Sequence, residues 1–130
     1  MYIFNIKKYS NYKYKNLELI NYGSNVLIKE QGNIPLHLCF NNICLKPNTQ
    51  YHINLNFVSN LNNRNLFLEL KSGHIILLKK KIENNNFNNY LTFNSGYNNN
   101  IVISLYSKNN HPNKFLRFFN FVIFESKEQH

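Results

Sequence analysis

The side chains that could carry acid/base, nucleophilic or metal chemistry in this chain are glutamates, histidines and cysteines. Glycoside hydrolysis needs two carboxylates that face one site, but the six glutamates are scattered, and the histidines lack the ligand spacing of zinc sites. The chain has no aspartate, which excludes a Ser-His-Asp triad, and its isolated glycines form no phosphate-binding loop. We therefore expect a protein that is not an enzyme, with no catalytic residue, metal site or cofactor. The glutamates are Glu18, Glu30, Glu69, Glu83, Glu125 and Glu128, and the histidines are His37, His52, His74, His111 and His130.

The two cysteines, Cys39 and Cys44, flank the segment Phe40-Asn41-Asn42-Ile43. If Asn41-Asn42 is a two-residue hairpin turn, Cys39 lies opposite Cys44 across the ladder, and a disulfide is geometrically possible. The alternative is a pair of reduced, largely buried thiols. We favour the reduced pair because the chain starts without the features of a secretory signal peptide.

Polar side chains that could bind a ligand alternate with apolar ones along several segments. In the segment from 51 to 57, Tyr51, Ile53, Leu55 and Phe57 are predicted to face the core, with the polar residues between them on the other side. Asparagine and arginine can hydrogen-bond to hydroxyl groups, and tyrosine offers a ring for stacking. The other interpretation of the same positions is an ordinary half-exposed sheet surface. The candidate ligand-binding residues are His52, Asn54, Asn56, Glu69, Tyr106 and Arg117.

The elements that would position these residues are short β-strands. Apolar alternations of strand length are separated by Asn, Gly and Pro clusters, and no window shows a helical period. This spacing predicts an all-β fold, a two-sheet antiparallel β-sandwich (jelly roll). Two segments are apolar on both sides, Ile75 to Leu78 and Phe118 to Phe124, and are predicted to be central strands. The predicted strands are Leu17 to Asn21, Asn25 to Lys29, Leu36 to Phe40, Ile43 to Lys46, Tyr51 to Ser59, Leu66 to Lys71, His74 to Lys81, Asn89 to Asn94, Ile101 to Ser107 and Arg117 to Glu125.

The domain organisation follows from the same pattern. Residues 17–126 are predicted to form the sandwich domain, and residues 127–130 a tail. Residues 1–16 are basic, rich in tyrosine and weakly alternating, which fits either a mobile arm or an edge strand. Turns are expected where Asn or Gly residues cluster. These include Asn41-Asn42, Asn62-Asn63, Ser72-Gly73, residues 84–86, Ser95-Gly96, residues 98–100 and Asn109-Asn110.

Composition and charge limit the possible partners. The 130 residues include 28 Asn and no Ala, Asp or Trp, as an AT-rich coding sequence would give, so the net charge of +9 is weak evidence for function. The run Lys79-Lys80-Lys81 fits lysines that guard a strand end, although an anionic surface would also suit it. Nucleic acid is therefore not expected as the main partner. No apolar run reaches the 18 or more residues of a membrane span, so none is expected.

Three segments resemble a known family. The stretch from Leu45 to Tyr51, followed by alternating Ile53, Leu55 and Phe57, is similar to a strand of jelly-roll carbohydrate-binding modules with the galactose-binding-domain-like fold. The stretch from Phe115 to Glu125, with Asn120 at a polar position, resembles their closing strand, and Tyr90-Leu91-Thr92-Phe93 resembles a later one. The resemblance covers residues 17–126 and implies a jelly roll that binds glycans by stacking Trp or Tyr rings on sugars. It also implies a calcium site rich in Asp and Glu, which this Asp-free chain is not expected to form.

Three functions are compatible with these features. The first is a non-catalytic binding module, carbohydrate-binding or accessory, with a glycan as partner. The second is a structural or assembly protein, such as a viral surface or capsid-associated jelly roll, in which Phe119, Phe121 and Ile123 pack against a protein partner or a second copy. The third and weaker alternative is single-stranded nucleic-acid binding, suggested by aromatic residues beside lysines.

Overall fold

The structure is a computed structural model that describes residues 2–61, 66–82, 88–108 and 111–126. In these ranges the chain forms eleven β-strands and one short 3₁₀ turn, Ile6–Lys8. The strands are β1 Tyr2–Asn5, β2 Tyr12–Tyr14, β3 Leu17–Asn21, β4 Val26–Ile34, β5 His37–Cys44, β6 Gln50–Ser59, β7 Leu66–Ser72, β8 Ile75–Lys81, β9 Asn88–Asn94, β10 Asn100–Ser107 and β11 His111–Glu125.

The strands form two antiparallel sheets, and the predicted all-β sandwich is confirmed. Sheet A has the order β2-β3-β4-β11-β6-β9, with β1 added beside the second half of β11. Sheet B has the order β5-β10-β7-β8. No helix in the described ranges is long and apolar enough to cross a membrane. The predicted turns at 62–63, 84–86 and 109–110 and the predicted tail at 127–130 lie outside the described residues.

The core lies between the sheets and is built by strict alternation. Tyr51, Ile53, Leu55 and Phe57 of β6 are 0% exposed, while the residues between them are half-buried on the outer side. The predicted register of β6 is therefore confirmed. The Tyr51 hydroxyl also accepts a hydrogen bond from the Lys46 backbone N–H at 2.9 Å, which ties the preceding turn to the core.

The prediction of a hairpin at Asn41-Asn42 is wrong. β5 continues through this segment as one strand, with Cys39 opposite Ser104 and Cys44 opposite Asn100 of β10. Asn42 has a φ of 60°, and the register shifts nearby, so the chain accommodates an extra residue as a bulge and does not reverse. Both cysteines are free and exposed, and the expected burial of the thiols is also wrong.

The two strands predicted to be central differ in position. β11 lies between β4 and β6, as predicted. β8 is instead an edge strand that pairs with β7, and Ile75 and Ile76 are 56% and 51% exposed. An apolar run gives the same sequence signal in a central strand and in an exposed edge, so the pattern alone could not separate the two positions.

Residues 2–14 contribute strands to sheet A and side chains to the core. β1 pairs with β11, and Phe4 and Ile6 are buried. The Phe4 ring contacts Phe40 of sheet B and Phe121 of sheet A, with centroid distances of 5.0 and 4.8 Å. Tyr9 packs on the same cluster, and its burial raises the pKa of the phenol above the ordinary value of 10.0. The N-terminal segment therefore bridges the two sheets.

A buried ion pair joins β4 and β11 at one end of the core. The Lys114 side chain is fully buried, and its Nζ lies 3.5 Å from Glu30 Oε1. The same Nζ donates a hydrogen bond to the Gly32 carbonyl oxygen at 2.8 Å. These partners offset part of the cost of taking the ammonium group out of water.

Candidate functional site

The structure divides the predicted binding residues between opposite outer faces of the sandwich. His52, Asn54 and Asn56 lie on the outer side of β6 in sheet A, and Arg117 lies on the same side of β11, opposite Val58 of β6. Glu69 of β7 and Tyr106 of β10 lie on the outer side of sheet B. The six residues therefore do not converge on one site.

We define the amide face as the outer side of sheet A around β6. A row of four rings crosses it from β1 to β9. Tyr2 contacts Phe124 edge-on with centroids 6.0 Å apart, Phe124 stacks on His52 at 5.4 Å, and His52 lies 5.5 Å from Tyr90. The residues of the amide face are Tyr2, His52, Asn54, Asn56, Tyr90, Thr92, Asn120 and Phe124.

The ring row is held in place and open at both ends. Tyr90 Oη and His52 Nδ1 are 2.6 Å apart, a hydrogen bond that fixes the two rings relative to each other. Tyr2 and Tyr90, at the two ends of the row, are 56% and 57% exposed. Such rings present C–H and π surfaces to a ligand while they lose little conformational freedom on binding.

Two amides beside the ring row have unused hydrogen-bonding capacity. The Oδ1 atoms of Asn54 and Asn56 are buried and have no hydrogen-bond partner. Leaving a buried acceptor unsatisfied costs about 1–3 kcal/mol. A ligand hydroxyl or a water molecule that reached these amides would recover part of that free energy, so they are suitable groups for recognising a polyhydroxylated ligand.

Arg117 lies at the far end of the amide face and already has partners. Its Nη1 donates a hydrogen bond to Asn25 Oδ1, and its guanidinium group lies 5.7 Å from the Tyr22 ring centroid. It is also farther along the strands than Asn56, because its neighbour on β6 is Val58. Arg117 therefore stabilises the β4 side of sheet A in this structure, and it lies several residues away from the ring row.

The outer side of sheet B, which we call the lysine face, has different chemistry. Tyr106 and Phe67 are cross-strand neighbours with centroids 5.6 Å apart and ring planes 19° apart. Lys108 Nζ lies 4.7 Å from the Phe67 centroid, over the ring. Glu69 lies beside this pair, 3.9 Å from Lys71 Nζ. The residues of the lysine face are Phe67, Glu69, Lys71, Lys79, Lys81, Tyr106 and Lys108.

Each described glutamate has a lysine as a neighbour. Such an arrangement stabilises the fold and is not typical of acid/base catalysis. Among the residues that the structure describes, no group of three or more His, Cys, Asp or Glu side chains could hold a metal ion. The pairs are Glu30 with Lys114, Glu69 with Lys71, Glu125 with Lys46, and Glu18 opposite Lys13 and Lys29.

The aromatic surface predicted for assembly is largely internal. Phe121 and Ile123 are 0% exposed and fill the core, and only Phe119, at the bulge of β11, is partly exposed at 39%. The proposed packing of these three side chains against neighbouring proteins is therefore wrong for two of them. Simple alternation would place Phe119 and Phe121 on the same side of the strand. The register shift between Phe118 and Asn120 instead leaves Phe119 outside and Phe121 in the core.

Sequence reasoning missed Tyr2, Tyr90 and Phe124 as members of a possible site. The parity of β9 places Tyr90 and Thr92 on one side of their strand. That these residues lie beside His52 depends on the pairing of β9 with β6 and of β1 with β11. Pairings between strands far apart in sequence leave no mark in a single sequence.

The comparisons with known proteins give a fold. No family model matches the chain, and no curated protein matches it. A solved structure described as family 16 carbohydrate-binding module-2 shares 14% identity at a TM-score of 0.61, covering 85% of this chain and 86% of that one. The N-terminal cellulose-binding domain of β-1,4-glucanase C from Cellulomonas fimi shares 8% identity at a TM-score of 0.57, covering 86% and 85%.

A third similar structure is the C-terminal CBM6 of LamC, a marine laminarinase from Zobellia galactanivorans. It shares 16% identity at a TM-score of 0.52, covering 84% of this chain and 92% of that one. The chain therefore has the jelly-roll fold of carbohydrate-binding modules, and the predicted resemblance is confirmed at the level of the fold.

Proposed function

We propose that this protein is a non-catalytic carbohydrate-binding module that binds a neutral glycan on the amide face. The observation that carries the proposal is the row of four rings, Tyr2, Phe124, His52 and Tyr90, across neighbouring strands of one outer face. The similar structures named as carbohydrate-binding modules supply the fold-level analogy.

The chemistry of the amide face suits an uncharged polyhydroxylated chain. The rings offer apolar surface to the C–H faces of sugar rings, and Asn54, Asn56 and Thr92 offer hydrogen bonds to hydroxyl groups. None of the side chains that define this face is a lysine, an arginine or a glutamate. An acidic glycan would gain no ion pair there, so the face favours a neutral one.

The absence of catalysis is part of the proposal. The described glutamates are paired with lysines, and Glu18 and Glu30 point to opposite sides of sheet A because they occupy positions of opposite parity in the β3–β4 ladder. Two carboxylates that face one scissile bond are the requirement for glycoside hydrolysis. We expect the purified protein to bind oligosaccharides without cleaving them.

A glycan array followed by calorimetric titration tests the proposal. The array should identify a neutral oligosaccharide that binds, and Tyr90→Ala should weaken its binding by about 1 kcal/mol, which is about fivefold. Tyr97→Ala is the matched control, because Tyr97 is 93% exposed in the turn after β9 and lies outside the ring row. Silence on the array, or equal losses for the two variants, would refute the assignment to the amide face.

A further inference from the structure

The lysine face concentrates positive charge away from the proposed neutral-glycan site. Its four lysines and one glutamate give a formal charge of +3, a third of the net +9 of the whole chain. Lys79 lies opposite Glu69, and Lys81 lies opposite Phe67, in the β7–β8 ladder. The one carboxylate, Glu69, therefore neutralises the charge of only one of the four lysines.

Guarding of the edge strand explains only part of this charge. β8 is an exposed edge, and the run Lys79-Lys80-Lys81 fits the use of lysine to block pairing with another chain. Lys71 is on the interior strand β7, and Lys108 follows the interior strand β10. These two lysines protect no edge, yet they extend the positive surface over Phe67 and Tyr106.

We propose that the lysine face is a second glycan site, selective for saccharides that carry carboxylate or sulfate groups. The ammonium groups of Lys79, Lys81 and Lys108 bind the anionic groups, and the Phe67–Tyr106 pair gives an apolar floor beside them. An anion is complementary to this surface because it relieves repulsion among the lysines. The site lies on the opposite sheet from the amide face and does not depend on binding there.

The ring geometry favours a saccharide over a single-stranded nucleic acid. Base stacking needs an open ring face, whereas Phe67 stacks on Tyr106 and also has the Lys108 ammonium over its ring. A charged pyranose needs only ammonium groups and a small apolar contact. The Phe67–Tyr106 pair, which Lys108 partly covers, therefore suits a charged saccharide better than a stacked nucleic-acid base.

The experiment compares two oligosaccharides that differ only in charge. Calorimetric titration in about 0.15 M salt uses an oligogalacturonate and its fully methyl-esterified form. The wild-type protein should bind the oligogalacturonate and should bind the ester at least tenfold more weakly. A sulfated dextran with its unsulfated parent tests the sulfate arm in the same way. Binding of either anionic form over its neutral form supports the site, and indifference to charge in both pairs overturns it.

Charge-matched variants separate a local site from general electrostatics. Lys79→Gln, Lys81→Gln and Lys108→Gln together should weaken oligogalacturonate binding about tenfold, because three exposed ion pairs, each of modest strength, are lost together. The control removes the same number of charges elsewhere, with Lys7→Gln, Lys8→Gln and Lys13→Gln, and should bind as the wild type does. Equal losses in both triple variants, or tighter binding of a single-stranded oligonucleotide than of the oligogalacturonate, would overturn the proposal.

Different variants test the two proposed sites separately. Tyr90→Ala should leave oligogalacturonate binding unchanged, because Tyr90 is on sheet A. The lysine triple variant should leave binding of the neutral glycan unchanged. Folding of each variant is checked by its unfolding midpoint, which exposed Lys→Gln changes should shift little.

Discussion

The Tyr51 side chain contributes both to the core and to the turn that precedes β6. Its ring is fully buried between the sheets and stacks on Phe93 of β9, with centroids 5.4 Å apart. Its hydroxyl accepts the Lys46 N–H, so the polar end of a core residue satisfies a turn backbone group. A phenylalanine would fill the same space without satisfying that donor.

Truncation of core residues on β6 should separate its two sides. Tyr51→Ala and Phe57→Ala should each lower the free energy of unfolding by about 3–5 kcal/mol. Asn54→Ala, on the outer side of the same strand, should change it by about 0.5 kcal/mol or less, because the substitution removes an amide oxygen that has no hydrogen-bond partner to lose. Urea denaturation measures all three, and a large loss for Asn54→Ala would mean that the amide face contributes to stability.

The same strand shows what could be predicted about the candidate site. Alternation with a period of two residues fixed which side chains of β6 face outward, and His52, Asn54 and Asn56 are found there. Alternation could not tell which sheet a strand joins. The predicted ligand-binding residues therefore include Glu69 and Tyr106, which lie on the opposite face. They do not include Tyr90 and Phe124, which lie beside His52.

Among the elements, β8 is an edge strand that is open to unwanted pairing. One side of this strand pairs with β7, and its start carries the exposed Ile75 and Ile76. Its second half carries three consecutive lysines, of which Lys80 does not belong to the lysine face. An exposed apolar edge promotes association between sheets, and lysine opposes it.

Changes on β8 should therefore alter aggregation more than stability. Lys80→Ile should increase light scattering of the folded protein at a given concentration, and Ile76→Lys should decrease it. Both positions are exposed, so the unfolding midpoints should differ little from that of the wild type. If Lys80→Ile instead remained monomeric, other features of the edge would be responsible for its protection.

The element boundaries show where sequence reasoning ends. β3 was predicted with the same limits that it has in the structure, Leu17–Asn21, because polar and glycine residues flank a short alternating segment. β5 was predicted as two strands because Asn41-Asn42 has the composition of a turn. The continuous partner strand β10 makes a bulge the better solution, and that tertiary preference is not visible in the local sequence.

At the scale of the whole molecule, two sheets present two different surfaces. The amide face has uncharged rings and amides, and the lysine face has an excess of ammonium groups. The fold class followed from strand-length alternation throughout the chain. The partition of chemistry between the faces required the strand order, which brings distant segments together: β11 with β1, and β10 with β5.

The central position of β11 sets the order in which the protein can mature during synthesis. β1, β4 and β6 all pair with β11, so sheet A stays incomplete until β11 has left the ribosome. Until then the emerging chain presents unpaired strand edges, a state in which chaperones are useful. A chain that ends at residue 110 should therefore show no cooperative unfolding transition by circular dichroism. A cooperative transition in that fragment would show that sheet B and the remaining strands can fold before translation is complete.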